Sequence, residues 1–444
     1  MPGRKITLPL ALLAAAALYL LAPYDPALKT GLSILTLIAI LWVTETFNIT
    51  VTALLIPVLT VLAGVFTVGE ALQNFANPII FLFLGGFALA AALNEQQLDR
   101  YIAGHLLRLA RGRLAHAALL LFLAAAGLSM WISNTATTAM MLPLVLGLLR
   151  QQPYSEHRRT YWFMLLGLAY SASIGGIGTL VGSPPNAIAA AAVGLSFLDW
   201  LKIGLPVAVA AFPLMLVALW LVLRPTLNLR VEHLAEPLPL NRQQWLTLTV
   251  FAATVLLWLF SAPLARLFGI DGGFDSLIAI TALLLLCMLK LVSWKTVEGT
   301  ADWGVLLLFG GGLTLSAMLQ KTGSSEFLAY SIGQLLSGAP VVLFVLAVAA
   351  FVVMLTEIAS NTASSALLVP IFVGIAGALG MSEVVMAAVI AIAASCAFML
   401  PVATPPNAIV FGSGFVPQTR MMRVGIVLNL LMTLLITAAA MLML

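Results

Sequence analysis

Charge is scarce in this chain: 8% of its 444 residues are Asp, Glu, Lys or Arg, whereas 62% are hydrophobic and the mean hydropathy is +1.12. A soluble globule of this length needs far more polar surface, so the composition excludes one and reads as an integral membrane protein. Cysteine is scarcer still. Cys287 and Cys396 stand in separate apolar stretches with no CxxC or Cys/His cluster, which argues against a disulfide framework or thiolate metal site and leaves two small core residues. Histidine is limited to His105, His116, His157 and His233, all in or beside polar loops, and no HExxH, GxSxG or paired-Asp motif occurs. Those absences argue against an intramembrane enzyme. The net charge of +4 and pI near 9.2 do not signal nucleic acid either. The basic residues sit at the ends of apolar runs along one membrane face, where topology and contact with anionic lipid account for them.

What the chain has in abundance is long apolar runs. A bilayer core of about 30 Å takes about 20 residues of helix per crossing. Spans are expected near 6–23, 28–47, 50–68, 78–94, 161–191, 201–223, 243–268, 274–292, 303–320, 383–414 and 421–443. Arg4 and Lys5 ahead of the first run imitate a signal peptide, but its small-residue cleavage options lie inside the run and ten further spans follow, so it reads as the first span. Two more apolar segments, 116–150 and 340–379, carry the same tripeptide at their midpoints: Ser133-Asn134-Thr135 and Ser360-Asn361-Thr362. Read as re-entrant hairpins, they complete an all-α polytopic protein of eleven crossings and two hairpins. Charge placement supports that count, because cytoplasmic loops hold the excess of Lys and Arg. With the N-terminus inside, every Lys and Arg except Lys29, Lys202, Arg266 and Lys321 falls on the cytoplasmic side. A full crossing at 116–150 would put Arg150, Arg158 and Arg159 on the wrong face. The C-terminus is then extracytoplasmic, in a bacterial-type inner membrane.

The two tripeptides belong to a duplication. SMWISNTATTAMMLP (129–143) aligns with TEIASNTASSALLVP (356–370), GTLVGSPPNAI (178–188) with MLPVATPPNAI (399–409), and the Gly85-Gly86 helix with the Gly310-Gly311 helix. Each half holds five crossings and one hairpin, and the odd number of crossings inverts the second copy, so the hairpin tips are expected to meet near the midplane. A polar linker at 224–242, with Glu232, His233, Glu236 and Pro237, joins the halves, and 95–115 reads as an amphipathic helix on the cytoplasmic interface.

Pro184-Pro185 and Pro405-Pro406 remove amide donors inside two spans, which therefore break where the hairpin tips lie. Unwound backbone survives at that depth only when packed in protein or lining a wet cavity. Broken helices present carbonyls at one end and amides with a positive dipole at the other. Carbonyls with the oxygens of Ser129, Ser133, Asn134, Thr356, Ser360 and Asn361 suit a small cation, and the amides suit an anion. No Lys, Arg or His occurs in these four segments, so bound anion charge would be balanced by a nearby cation. Glu357 is their one acid. It reads first as a brace for the hairpin and second as a proton carrier; Glu45 is the other acid expected deep in an apolar run.

Twin Ser-Asn-Thr tips with twin Ser/Thr-Pro-Pro-Asn breaks resemble the divalent anion/sodium symporter family of di- and tricarboxylate transporters, over essentially the whole chain. The resemblance implies one sodium site at Ser129, Ser133, Asn134 and the Gly182 carbonyl, and a second at Thr356, Ser360, Asn361 and the Ala403 carbonyl. A carboxylate between them would contact Asn134, Thr135, Ser183, Asn361, Thr362, Thr404 and Pro405. It also implies a homodimer whose scaffold (1–113 and 243–338) stays fixed while a transport domain (116–224 and 340–444) moves as an elevator, with 225–242 as linker. Sodium-coupled uptake of C4-dicarboxylates such as succinate, malate or fumarate is the leading expectation. Sodium-independent exchange, or citrate or sulfate as cargo, stays open within the same family.

Overall fold

The computed structural model describes residues 4–230, 239–270, 272–335 and 340–444, and regular structure among them is helical. The middle of the expected linker, with Glu232, His233, Glu236 and Pro237, lies outside the described residues. Helix α1 (Arg4–Leu21) packs on α2 (Pro26–Val43). The first half continues with α3 (Ile49–Leu62), α4 (Val68–Leu72), α5 (Pro78–Glu95), α6 (Leu98–Leu109) and α7 (Leu114–Ser129). It closes with α8 (Asn134–Leu149), α9 (Tyr154–Ile177), α10 (Pro184–Val193) and α11 (Phe197–Leu223). The second half runs through α12 (Arg242–Leu259), α13 (Ser261–Phe268), α14 (Phe274–Met288), α15 (Trp294–Thr300) and α16 (Trp303–Lys321). Then come α17 (Ser324–Leu335), α18 (Val341–Thr356), α19 (Asn361–Ala378), α20 (Glu383–Ala394), α21 (Pro405–Gly412) and α22 (Gln418–Met443).

Element for element, α3 to α11 correspond to α14 to α22. The same signals open equivalent helices: Asn77 caps α5 and Asp302 caps α16, while Pro184 and Pro405 occupy first-turn positions that lack a helical amide partner anyway. The halves interlock. Helix α5 packs against α14, and its counterpart α16 packs against α3. Glycine makes both crossings close: a Cβ on Gly85 would lie 2.5 Å from the Ala279 carbonyl oxygen, and one on Gly311 2.7 Å from that of Ala53. Gly85→Val or Gly311→Val is therefore expected to cost about 1–3 kcal/mol through forced separation, read as a lower melting temperature in detergent. Gly127→Ala, which meets nothing within 4 Å inside α7, should not lower it, since alanine is the better helix former.

Seven single stretches are long and apolar enough to cross a membrane: Pro26–Val43, Val68–Glu95, Tyr154–Ile177, Phe197–Leu223, Trp303–Lys321, Asn361–Ala378 and Gln418–Met443. Several other expected spans are present as shorter apolar helices, because breaks and end turns subtract from their helical length. Large exposed apolar side chains, among them Leu13, Leu62, Val209, Met288 and Leu430, complete a multi-pass membrane protein whose outer surface suits lipid. One expected span changes shape. The run 243–268 is not straight but bends by 76° between α12 and α13, where Pro263 has no amide to donate to the Leu259 carbonyl and its ring crowds that carbonyl, so α12 cannot run on through it.

The expected interfacial helix at 95–115 is shorter, α6 alone, closed by a turn in which Arg111 and Gly112 take positive φ. Its counterpart α17 was not anticipated from the sequence. The described start of the linker is pinned rather than loose: Leu114 N donates to Leu229 O, and Thr160 Oγ1 donates to Thr226 O at 3.0 Å.

Candidate functional site

In each segment expected to form a hairpin, four residues, 130–133 and 357–360, separate two helices, so that α8 begins at Asn134 and α19 at Asn361. Behind each tip a hydroxyl fixes the asparagine: Ser129 Oγ donates to Asn134 Oδ1 at 2.6 Å, and Thr356 Oγ1 lies 2.6 Å from Asn361 Oδ1 and 2.7 Å from Ala394 O. Ser133 also caps α8, accepting from Ala136 N at 3.2 Å.

The breaks are matched as closely. Helix α9 stops at Ile177 and α10 starts at Pro184; α20 stops at Ala394 and α21 starts at Pro405. The asparagine of each Pro-Pro-Asn folds back into the unwound stretch. Asn186 Nδ2 donates to the carbonyls of Gly176 at 2.8 Å and Thr179 at 2.7 Å, and Asn407 Nδ2 to those of Ala397 at 3.1 Å and Leu400 at 3.0 Å. Both side chains are fully buried, and the Oδ1 of each has no donor among the described residues. These carbonyls would otherwise be orphans in the protein interior, so the two asparagines hold the breaks open in one shape. The sequence motif showed them, but not this role. Gly176 is required beside the first tip, since a Cβ there would lie 2.4 Å from Asn134 Oδ1 and 3.0 Å from Gly182 O.

Both tips and both breaks face one cavity of about 430 Å³. All of the expected carboxylate contacts, Asn134, Thr135, Ser183, Asn361, Thr362, Thr404 and Pro405, line it. Of the expected sodium ligands, Ser133, Asn134, Gly182, Ser360, Asn361 and Ala403 line it as well. Ser129 and Thr356 do not; both are fully buried and reach the cavity only through the asparagines they hold. The first residues of α8, α10, α19 and α21 are all in the wall, so four helix N-termini converge here, each equivalent to roughly half a positive charge. No lysine, arginine or histidine lines the cavity among the described residues.

The chain is similar to known transporters over most of its length. A family model described as citrate transporter, CitMHS, matches residues 39–391. The chain belongs to this transporter family. The likeness to divalent anion/sodium symporters drawn from its motifs is upheld, and it is a transporter rather than an enzyme. It is 51% identical over 415 residues to an uncharacterized transporter of Haemophilus influenzae, covering 92% of this chain and 90% of that one. It is 32% identical over 442 residues to the sodium-dependent dicarboxylate transporter SdcS of Staphylococcus aureus, covering 91% and 84%. Among solved structures, the YdaH transporter of Alcanivorax borkumensis matches with a TM-score of 0.57 at 15% identity, covering 84% of this chain and 87% of that one; at that identity the likeness is one of fold.

Three acids of this family member find their places. Glu357 is a brace: Oε1 accepts from Phe398 N at 2.7 Å, Met399 N at 2.9 Å and Asn429 Nδ2 at 2.7 Å, and Oε2 from Leu400 N at 3.1 Å. It thereby ties the second hairpin to the second break. Glu45 is not deep in a helix, because α2 ends at Val43 and Glu45 takes φ +45° in the turn that follows, on the cavity wall. Asp302 also lines the cavity, and sequence reasoning missed it. An Asp at a helix start reads as a cap, which it is, since Oδ1 accepts from Val305 N at 3.1 Å.

Proposed function

We propose that this protein imports C4-dicarboxylates together with sodium. The observation that carries the reading is the convergence of four helix N-termini and two hydroxyl-held asparagines on a cavity that no basic side chain lines among the described residues. Such a wall attracts an anion by backbone dipoles and leaves the remaining charge to be balanced by cations. One sodium ion would be held by Ser129, Ser133, Asn134 and the Gly182 carbonyl, and the other by Thr356, Ser360, Asn361 and the Ala403 carbonyl. The donors fit a hard cation: hydroxyls, amide oxygens and carbonyls. The carboxylates would then be held by Asn134, Thr135, Ser183, Asn361, Thr362, Thr404 and Pro405. The sodium-dependent name of the Staphylococcus relative supports the coupling.

In this reading residues 1–113 and 243–338 form a scaffold, and 116–224 and 340–444 a transport domain that carries the cavity across the membrane as an elevator. The working unit is a homodimer in the inner membrane, with the N-terminus cytoplasmic and the C-terminus outside. The test is uptake of labelled succinate into proteoliposomes. Uptake is expected to rise at least tenfold when an inward sodium gradient is imposed; equal uptake without sodium refutes the coupling, and uptake only against internal dicarboxylate identifies an exchanger.

A further inference from the structure

We infer that Glu45 and Asp302 limit the charge of the cargo, admitting a carboxylate dianion and turning away a trianion. The inference rests on the proposed carboxylate site and specifies which carboxylates it accepts.

The cavity has two unlike walls. The hairpin tips and broken helices contribute hydroxyls, amides and helix N-termini. The turn after α2 and the start of α16 contribute Glu45 and Asp302. Asp302 also lines an adjoining cavity of about 310 Å³ that reaches Ser133 and Thr135 at the first tip, and among the described residues no lysine, arginine or histidine lines that one either. Neither acid is in an ion pair; the pairs among the described residues are Lys202 with Asp199 and Lys321 with Glu70. No basic partner is held by either carboxylate among the described residues.

Their positions do not require that charge. Asp302 caps α16 with one oxygen, and asparagine caps as well as aspartate. Glu45 follows the end of α2, where Glu45 N bonds to Trp42 O and Thr46 N to Leu41 O to close the helix. Its left-handed φ of +45° is the conformation glycine adopts freely and other residues adopt at a cost. The φ itself belongs to the helix-closing turn, as it does at Gln97 and Lys290; the turn does not account for a carboxylate at this place on the cavity wall.

Charge balance supplies the explanation. Four helix N-termini bring roughly half a positive charge each, and two carboxylates offset them. Two coupled sodium ions then match a dianion and leave a trianion with one negative charge in excess, facing the acids.

The test uses the purified full chain in proteoliposomes at pH 8, where succinate is a dianion and citrate a trianion, with an inward sodium gradient. The wild type is expected to favour succinate. The E45Q/D302N double variant is expected to raise the citrate to succinate ratio of kcat/KM about tenfold, the scale of one like-charge repulsion removed across a wet cavity. E45G, which relieves the turn while deleting the charge, should move the ratio the same way as E45Q. An unchanged ratio in E45Q/D302N while succinate still enters overturns the inference and leaves the proposed function standing, as does opposite behaviour of E45Q and E45G. Wild-type citrate uptake as fast as succinate uptake without divalent cations, where citrate is the free trianion, also overturns it. Sodium-dependent uptake of neither carboxylate by the wild type refutes the proposed function, and the inference with it.

Discussion

Asn134→Ala and Asn361→Ala are each expected to lower sodium-driven succinate uptake about 100-fold while the protein still folds and inserts. Each asparagine stands at a helix start on the cavity wall, with Oδ1 beside the hydroxyl of Ser129 or Thr356. In the proposed site the same amide faces both a cation and a carboxylate. A hydrogen bond to a charged group is worth about 1.5–3 kcal/mol, so losing both roles approaches the roughly 2.7 kcal/mol that separates two decades of affinity. The cost to folding should be smaller, about 1 kcal/mol, because one buried hydroxyl loses an acceptor and Thr356 keeps the Ala394 carbonyl. Initial uptake rates, sodium titration of succinate binding and a melting curve in detergent separate these effects. Wild-type uptake in both variants would refute the site assignment. Ser129→Ala should be milder, about fivefold to tenfold, because it removes one oxygen of the proposed cation site and loosens Asn134 while the asparagine itself stays.

Glu357→Ala is expected to act the other way round, on stability first. The carboxylate takes three consecutive amides, those of Phe398, Met399 and Leu400, and the amide of Asn429. Alanine leaves four donors without an acceptor inside the protein, where each costs about 1–3 kcal/mol before any relaxation. After water and repacking recover part of this, about 3–5 kcal/mol of destabilisation is expected, read as a large fall in melting temperature and in yield. Glu357→Gln keeps one acceptor oxygen but presents its amide hydrogens to backbone donors, so it should lie between alanine and wild type. A wild-type melting temperature for the alanine variant would refute the brace. No charge does this work in the first half, where Met130 occupies the matching position. There Thr179 Oγ1 donates to Met130 O and accepts from Gly182 N.

The parts of this molecule legible in the sequence are those whose residues have backbone consequences. Paired prolines within an apolar run end a helix wherever they fall, and Ser-Asn-Thr at the middle of such a run marks a new helix start, so both tips and both breaks could be placed by number. The parts that stayed hidden depend on what folding brings together. Asn186 and Asn407 brace carbonyls of a stretch whose unwound shape cannot be read from the motif. Asp302 is an ordinary cap until the start of α16 is set against the hairpin tips. Glu45 lies at the end of an apolar run, and the run alone does not say where α2 stops. The bend at Phe260 is masked for the same reason, since averaged hydropathy passes smoothly over a single proline.

The interlocked crossings have a consequence for the order in which the protein is made. Helix α5 emerges long before α14, α3 before α16, and the amide of Phe197 at the start of α11 before the carboxylate of Asp275 that accepts it at 2.7 Å. A chain grows at about 5–20 residues per second, so for several seconds the first half stands in the membrane with the Gly85 face of α5 and the Ala53 face of α3 unmatched. Completion of the fold waits for the second half, because a chain truncated after α11 has nothing to set against α3 and α5 where α16 and α14 pack.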